Sequence, residues 1–283
     1  MNCCDILVVT DYEGFNKKNP VDTFKILTSF FQDLKVSVEI QVGPEYRKEA
    51  SAVLNHVNLT ETPPQYQALF RNYKTGINTR LLNIRKSVIC DDATLSKPGK
   101  ASGPVIVKTD LNYGGIPELQ RLQWQGDISQ GVINQTYANA RYLNPNSYPI
   151  FNDSSMVPAG VWENPNLIVQ NLYIEQDSIG RYCLRSWYVL GDAGFHVMTV
   201  ANHPVVKGQN ILDRWVLDVE TPRELMELKQ RLALDYGRID YTLHRGKAIV
   251  FDANRTPTSS IEAVDRYHLQ WQSMASGIKQ YLG

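Results

Sequence analysis

The chain has 283 residues and is 43% hydrophobic, which suffices for a sizeable core and for one to three folded units. Its 29 lysines and arginines balance its 29 acidic residues, so no global basic field indicates a nucleic acid or an anionic membrane as partner. Four cysteines without CxxC spacing argue against a disulfide scaffold or a zinc site and predict a reducing, cytoplasmic setting. No apolar run approaches a membrane span, and the N-terminus lacks a signal-peptide pattern.

The N-terminal quarter alternates between strand and helix patterns. Residues 5–10 form a buried-type strand, and residues 21–34 carry apolar side chains at helical spacing. Residues 36–42 alternate as a strand, and residues 52–59 include another apolar run. This order predicts a small α/β layer with a parallel sheet.

The loops that follow these strands are candidate ligand positions, because parallel sheets often bind ligands beyond the carboxyl ends of their strands. Thr10 and Asp11 follow the first strand, and Thr60 follows a later one. Taken singly, each is more simply interpreted as an ordinary loop residue.

The next informative segment is a buried strand that ends in a lysine and runs into a glycine loop. Residues 105–107 are apolar, Lys108 follows them, and Gly114 and Gly115 close the loop. A lysine that leaves a buried strand needs a counter-charge, such as a phosphate, which glycines let backbone N–H groups approach. The alternative is a lysine that reaches solvent, and the P-loop pattern GxxxxGK[ST] is absent. Residues 118–166 are polar and are predicted to be irregular, in an enzyme a candidate lid.

Strand patterns resume in the second half of the chain. Residues 167–175 and 182–190 are predicted strands, and residues 197–201 are expected to pair with the second of them. Arg185 lies on a half-buried strand and implies an anionic partner, which is equally well a protein carboxylate or a ligand. Helices are predicted for residues 222–234, starting at Thr221-Pro222, and for residues 260–282.

Two short apolar runs flank a polar turn at residues 244–247 and predict a β-hairpin. Arg238 and Asp240 share one face of the first strand, and Asp252 and Asn254 share one face of the second. Carboxylate and amide oxygens suit Mg²⁺, and the adjacent arginine could hold a phosphoryl group. The alternative is a hairpin with a wet polar face, which is common in antiparallel sheets.

Taken together and in this order, the motifs resemble those of the ATP-grasp superfamily. The strand lysine and glycine loop are similar to the phosphate-binding parts of its central domain, and residues 169–175 to its adenine and ribose linker. The hairpin acids are similar to its carboxylate–carboxylate–x–Asn magnesium motif. Residues 55–60 and 107–112 further resemble a bacterial group of small ATP-grasp proteins.

The resemblance implies a mixed α/β and α+β fold in which two α+β subdomains clasp ATP. An N-terminal α/β domain is expected over residues 1–75, a central subdomain over 76–168 and a C-terminal subdomain with the magnesium site over 169–283.

The resemblance also implies ligands for individual residues. ATP would contact Lys86, Lys108, Gly114, Gly115, Gln170, Asn171, Leu172 and Glu175, with Gln170 and Leu172 at adenine and Glu175 at ribose. Mg²⁺ would be held by Asp240, Asp252 and Asn254. The catalytic groups would be Arg238 and Lys108 at the transferring phosphoryl group and Arg185 at the substrate carboxylate. Many family members carry Glu at the positions of Asp252 and Gln170.

The implied function is an ATP-dependent carboxylate–amine ligase that acts through an acyl phosphate. Its substrates would be small-molecule or peptide carboxylates and amines, joined by an amide or peptide-type bond. A small-molecule kinase and a non-catalytic nucleotide-binding regulator are the alternatives. We expect no nucleic-acid or membrane partner, while family members are often oligomers.

Overall fold

The computed structural model describes residues 4–11, 21–46, 48–99, 101, 103–124 and 137–282. The strands are, in chain order, β1 (Cys4–Thr10), β2 (Val21–Asp22), β3 (Val38–Val42), β4 (Ala50–Asn55), β5 (Gly76–Ile77), β6 (Thr94–Leu95), β7 (Val105–Thr109), β8 (Ile150–Phe151), β9 (Leu167–Asn171), β10 (Glu175–Gln176), β11 (Tyr182–Leu190), β12 (Ala193–Ala201), β13 (Ile211–Leu217), β14 (Tyr236–His244), β15 (Lys247–Asn254) and β16 (Thr258–Ser259). The helices are α1 (Thr23–Phe31), α2 (Pro64–Phe70), α3 (Lys86–Ile89), α4 (Ile116–Trp124), α5 (Ala159–Trp162), α6 (Arg223–Leu232), α7 (Ile261–Arg266) and α8 (His268–Ala275). None of these helices is long and apolar enough to cross a membrane.

The first sheet is parallel and has the strand order β3-β1-β4-β5. It confirms the parallel α/β layer that the sequence predicts. Helix α1 starts at the Asp22 side chain, whose Oδ1 accepts a 2.8 Å hydrogen bond from the N–H of Phe24. The apolar face of α1 buries Phe24, Leu27 and Phe31 in the core that contains Ile6.

The second sheet has the strand order β6-β9-β7-β8, and its strand pairs are antiparallel. Its core contains Val105 and Val107 of β7 with Val169 of β9. Two strands lie across or just beyond the predicted domain boundaries: β9 of the second sheet continues past residue 168, and β5 of the first sheet lies past residue 75. The predicted domain division stays a prediction.

The third sheet is antiparallel, with the order β13-β12-β11-β14-β15 and β10 paired to β11. Successive side chains of β11 point to opposite faces, which helices cover on both sides. Tyr188 packs with Trp271 of α8 in one core, and Trp187 packs in the core that contains Leu225 and Leu228 of α6. Because side chains alternate along β11, one of its faces also lines the cleft described below.

The prediction that residues 118–166 are irregular is wrong at their beginning. Helix α4 runs directly on from the glycine loop, and its Leu119 packs with Leu111 and Tyr142 in a small cluster. This burial stabilises a helix whose apolar residues are too sparse to show a clear period. Residues 125–136 lie outside the described part of the chain, so the lid hypothesis stays a prediction.

The single closing helix predicted for residues 260–282 is also wrong in detail. The segment divides into α7, α8 and a 3₁₀ helix at Ser276–Tyr281. The break lies at Tyr267, whose φ of −117° and ψ of 32° are not helical.

Asn78 joins the first sheet to the start of β14. Its Oδ1 accepts hydrogen bonds from the N–H groups of Asp235 (2.8 Å) and Tyr236 (3.0 Å). Its Nδ2 donates to the carbonyl of Tyr236 at 2.6 Å. The residue is fully buried, so each bond replaces one that water would otherwise make.

We expect Asn78→Ala to lower the free energy of unfolding by about 2–3 kcal/mol, because buried backbone groups at β14 lose their partners. Urea unfolding followed by fluorescence measures the change. Asn72→Ala is the control, because Asn72 bonds only the end of its own helix at Leu69 and Ala68. Equal effects of the two variants would contradict the role of Asn78.

Candidate active site

The hairpin β14–β15 places four polar side chains on one face. Its turn has two residues, Arg245 and Gly246, with φ values of 51° and 79°, as type I′ turns require. Across the two strands, Asp240 pairs with Asp252, and Arg238 pairs with Asn254.

A β-bulge in this hairpin makes the shared face possible. From the turn inward the register is regular as far as Tyr241 and Val250, and it then shifts so that Asp240 pairs with Asp252. Phe251 is the extra residue, and it lines the cleft beside Asp252, while Val250 packs in the core. Without the shift, Asp240 would pair with Phe251, and the Asp252 side chain would lie on the opposite face of the hairpin from Asp240.

Asp240 is held by groups of the protein. Its Oδ1 accepts a 2.6 Å hydrogen bond from the Ser186 hydroxyl, and its Oδ2 accepts one of 2.8 Å from Arg238. Burial by itself lowers the pKa of Arg238, but the charge of Asp240 outweighs it and keeps that pKa above its ordinary value. The Arg238 guanidinium also lies 5.8 Å from the ring centre of Tyr188. The arginine is thus fixed beside the acid.

Asp252 has a carboxylate oxygen that accepts no hydrogen bond. Its Oδ1 is buried without a hydrogen-bond partner and lies 3.6 Å from Lys86 Nζ. Asn254 instead uses its Oδ1 to accept bonds from the Thr256 N–H (2.9 Å) and hydroxyl (3.2 Å). A carboxylate that lines a cleft and has an oxygen without a hydrogen bond fits a cation that is bound by oxygen.

The donor set suits Mg²⁺ better than a transition metal. No group of three or more His, Cys, Asp or Glu side chains in the described residues is arranged to hold a metal. Two carboxylates and one amide leave several positions to waters or phosphate oxygens, which is the usual state of protein-bound Mg²⁺. The residues of the hairpin therefore fit this ion.

Three lysines line the cleft together with the two acids. Lys86 of α3 is buried and donates a 2.7 Å hydrogen bond to the Leu111 carbonyl. Lys108 of β7 lies 5.4 Å from the ring centre of Phe251, and burial lowers its pKa to about 8. Lys207 also lines the cleft, and burial lowers its pKa. Sequence patterns missed Lys207 and Phe251, because neither belongs to a recognisable motif.

The glycine loop has three successive residues with left-handed φ: Tyr113 (44°), Gly114 (70°) and Gly115 (79°). A Cβ on Gly114 would lie 2.2 Å from the Leu143 carbonyl, and one on Gly115 would lie 2.5 Å from Tyr142. The glycines are thus required by their conformation and by close packing. Within the loop, Asn112 and Tyr113 line the cleft.

The linker after β9 lines the cleft through Asn171, Leu172 and Glu175. The N–H groups of Asn171 and Leu172 donate to the carbonyls of Ala93 (2.8 Å) and Pro104 (2.9 Å). The Gln170 side chain is fully buried, and its Nε2 donates to Thr94 Oγ1 at 3.3 Å. The structure therefore places the linker at the cleft but Gln170 behind its wall.

Arg185 and Glu175 contact each other. Arg185 Nη2 lies 2.7 Å from Glu175 Oε1, and its Nε donates to both carboxylate oxygens at 3.0 Å. The Thr242 hydroxyl donates to the same carboxylate at 3.0 Å. Burial raises the pKa of Glu175, but these bonds outweigh it and bring the pKa below its usual value. Of the two partners considered for Arg185, the structure contains the protein carboxylate.

The cleft that connects these groups has a volume of about 1940 Å³. Pockets for one drug-sized ligand usually measure about 300–1,000 Å³, so a second ligand fits beside the first. Asp11 and Asn58 line the cleft from the first sheet, Lys108 lines it from the second, and Arg238 and Asp252 line it from the third. All three sheets therefore meet at one cavity.

The depressed pKa of Lys108 makes stability depend on pH. Between pH 8 and 10.5 the unfolded chain holds a proton on Lys108 that the folded chain has lost, so stability rises with pH in that window. Relative to Lys108→Met, wild type should gain up to about 1.4 kcal/mol per pH unit there. Chemical denaturation at a series of pH values measures the difference. Parallel curves for the two proteins would exclude a Lys108 that is neutral in the folded chain.

No protein-family model and no curated protein sequence matches the chain. Several solved structures match the chain over nearly its whole length. The ATP-grasp ligase PsnB complexed with a minimal precursor is 9% identical, with a TM-score of 0.56 over 98% of this chain and 99% of that one. Macrocyclase MdnC of Microcystis aeruginosa, bound with precursor peptide MdnA, is 11% identical, with a TM-score of 0.53 and the same coverage. A RimK domain ATP-grasp protein of Sphaerobacter thermophilus is 10% identical, with a TM-score of 0.50 over 98% and 99%. The chain therefore has the ATP-grasp fold.

Proposed function

We propose that the protein is an ATP-dependent carboxylate–amine ligase. The observation that carries the proposal is the face of the β14–β15 hairpin, where Asp240 and Asp252 oppose each other and Asp252 Oδ1, which accepts no hydrogen bond, forms an ion pair of 3.6 Å with Lys86. Carboxylates that face lysines across a cleft suit a metal–triphosphate complex, in which both charge types find partners.

Each part of the cleft has a proposed role in holding MgATP. Asp240, Asp252 and Asn254 would hold Mg²⁺, and bound MgATP would supply the phosphoryl group that activates a carboxylate. Lys86 and Lys108 would neutralise phosphate oxygens, and Lys207, which also lines the cleft, would assist them. Gly114 and Gly115 would shape the loop over the phosphates.

The apolar part of the cleft suits the base of the nucleotide. Ile106, Leu172 and Phe251 line it near the linker, and aromatic or aliphatic side chains commonly enclose a planar ring. Asn171 belongs to the same wall, with Gln170 behind it, and Glu175 would meet the ribose. The predicted contact between Arg185 and a substrate carboxylate stays a prediction, since its guanidinium is paired with Glu175.

The chemistry needs charge neutralisation and positioning, and it needs no protein nucleophile. A carboxylate oxygen of the acid attacks the γ-phosphorus, and ADP leaves. The amine nitrogen then attacks the acyl carbon, phosphate leaves, and the amine proton is lost to solvent or a base. Arg238, fixed by Asp240, would stabilise the charge on the phosphoryl oxygens in both steps.

The neighbours with this fold offer a substrate class. PsnB and MdnC are described as complexes with precursor peptides. A cleft of about 1940 Å³ has room for a peptide side chain or a small acid beside the nucleotide. Peptide or small-molecule acids and amines are therefore the substrates to test first; a cytoplasmic location and a homo-oligomer stay predictions.

Release of ADP over a panel of amino acids, small acids and short peptides tests the ligase directly. We expect ADP and phosphate to form in equal amounts only when both an acid and an amine are present. A phosphorylated product that accumulates without an amine would favour a kinase. Tight MgATP binding without turnover on any pair would exclude the ligase and favour a regulator.

Asp252→Ala should lower Mg²⁺-dependent turnover by at least about 100-fold, because it removes the carboxylate with the open oxygen. Nucleotide should still bind through the lysines. Asp265→Ala is the matched control, since Asp265 is an exposed acid on α7. Near-normal activity of Asp252→Ala would remove Asp252 from the metal site.

A further inference from the structure

Arg255 has an environment that ordinary core packing does not explain. It lies between Asn254 and Thr256, its accessible surface is zero, and burial lowers its pKa to about 10. Its guanidinium donates to oxygens of two segments: Thr62 Oγ1 and the carbonyls of Thr60 (2.9 Å) and Leu59 (3.2 Å) in residues 59–62, and the carbonyl of Leu81 (2.7 Å). A buried charge held by neutral oxygens is costly, so it is retained at a cost to stability.

Residues 59–62, to which Arg255 donates, also bond the glycine loop and helix α4. Thr60 accepts a 2.9 Å bond on its hydroxyl from the N–H of Asn112, which begins the glycine loop. Its own N–H donates to Glu118 Oε1 at 2.7 Å, and its carbonyl accepts from the N–H of Ile84 at 2.9 Å as well as from Arg255. One residue thus touches the glycine loop, helix α4 and the hairpin end.

The residues on either side of Arg255 lead to the proposed metal site. Thr256 donates its N–H to Asn254 Oδ1 at 2.9 Å, and its hydroxyl donates to Asn58 Oδ1 at 2.8 Å. The N–H of Asn58 donates to Asp11 Oδ1 at 2.8 Å. Asn58, Asn254 and Thr256 all line the cleft, whereas Arg255 points away from it.

We infer that Arg255 is a positioning residue for the metal site: by anchoring the hairpin end to residues 59–62, it fixes Asn254 and couples the metal site to the glycine loop. The inference rests on the proposed function. Lysine cannot reproduce the anchor, because its single ammonium lacks the planar fork that reaches four oxygens. The Mg²⁺-dependent part of nucleotide binding should therefore depend on the guanidinium.

The test is calorimetric binding of a non-hydrolysable ATP analogue, with excess Mg²⁺ and with EDTA. Removing a group that orients metal ligands usually costs about 10–100-fold in metal affinity. The gain from Mg²⁺ is the ratio of the affinity for the analogue in Mg²⁺ to the affinity in EDTA. We expect this ratio to be at least about 10-fold smaller in Arg255→Lys than in wild type. Binding in EDTA should change by less than about threefold, because the lysines of the cleft are untouched.

Asn78→Ala is the matched control for lost stability. It breaks another buried link to the third sheet, yet Asn78 bonds Asp235 and Tyr236 outside the cleft. This variant should keep the full gain from Mg²⁺. Thr256→Val removes only the hydroxyl between Asn254 and Asn58, and it should reduce the gain from Mg²⁺ as Arg255→Lys does. If Arg255→Lys does not fold, Thr256→Val tests the inference in its place.

Two results would overturn this inference and leave the proposed function intact. One is a folded Arg255→Lys protein that keeps the wild-type gain from Mg²⁺, and the other is an equal loss in Asn78→Ala. Wild type that binds no analogue in either buffer would instead overturn the proposed function, and the inference with it.

Discussion

The structure of the cleft depends on two carboxylates held directly opposite each other. Asp240 and Asp252 are cross-strand partners on one face of an antiparallel hairpin, a position in which like charges repel. Arg238 and Ser186 neutralise and hold the first acid, and Lys86 lies near the second. Asp252 Oδ1 accepts no hydrogen bond, and this is why we propose the arrangement as a site for a cation.

Connections between the sheets keep the opposing charges of the cleft in place. The linker from β9 of the second sheet ends at Glu175 of the third sheet, whose carboxylate accepts hydrogen bonds from Arg185, Thr242 and the N–H of Leu243. Asn78 ties the first sheet to β14. Hydrogen bonds to fully buried groups tolerate little displacement, because a broken bond leaves a buried polar atom unpaired. The lysines of one side and the acids of the other therefore keep a defined separation.

Much of the fold could be predicted from the sequence, because periodicity reports which face of a segment is buried. The parallel first sheet, the hairpin and the pairing of β11 with β12 follow from apolar patterns and turn residues. Helix α4 was missed because tertiary burial of Leu119, rather than a strong period, stabilises it. The candidate site required more: the bulge at Phe251 is invisible in the pattern, and Lys207 and Arg255 act through contacts with residues distant in sequence.

A crystal structure with Mg²⁺ and a non-hydrolysable ATP analogue is the most direct test of the proposed site. We expect a metal ion within about 2.0–2.1 Å of a carboxylate oxygen of Asp252. We also expect the triphosphate to lie between this ion and the ammonium groups of Lys86 and Lys108, with the base against Phe251. A nucleotide bound elsewhere, or a metal ion held without Asp252, would contradict the proposed site.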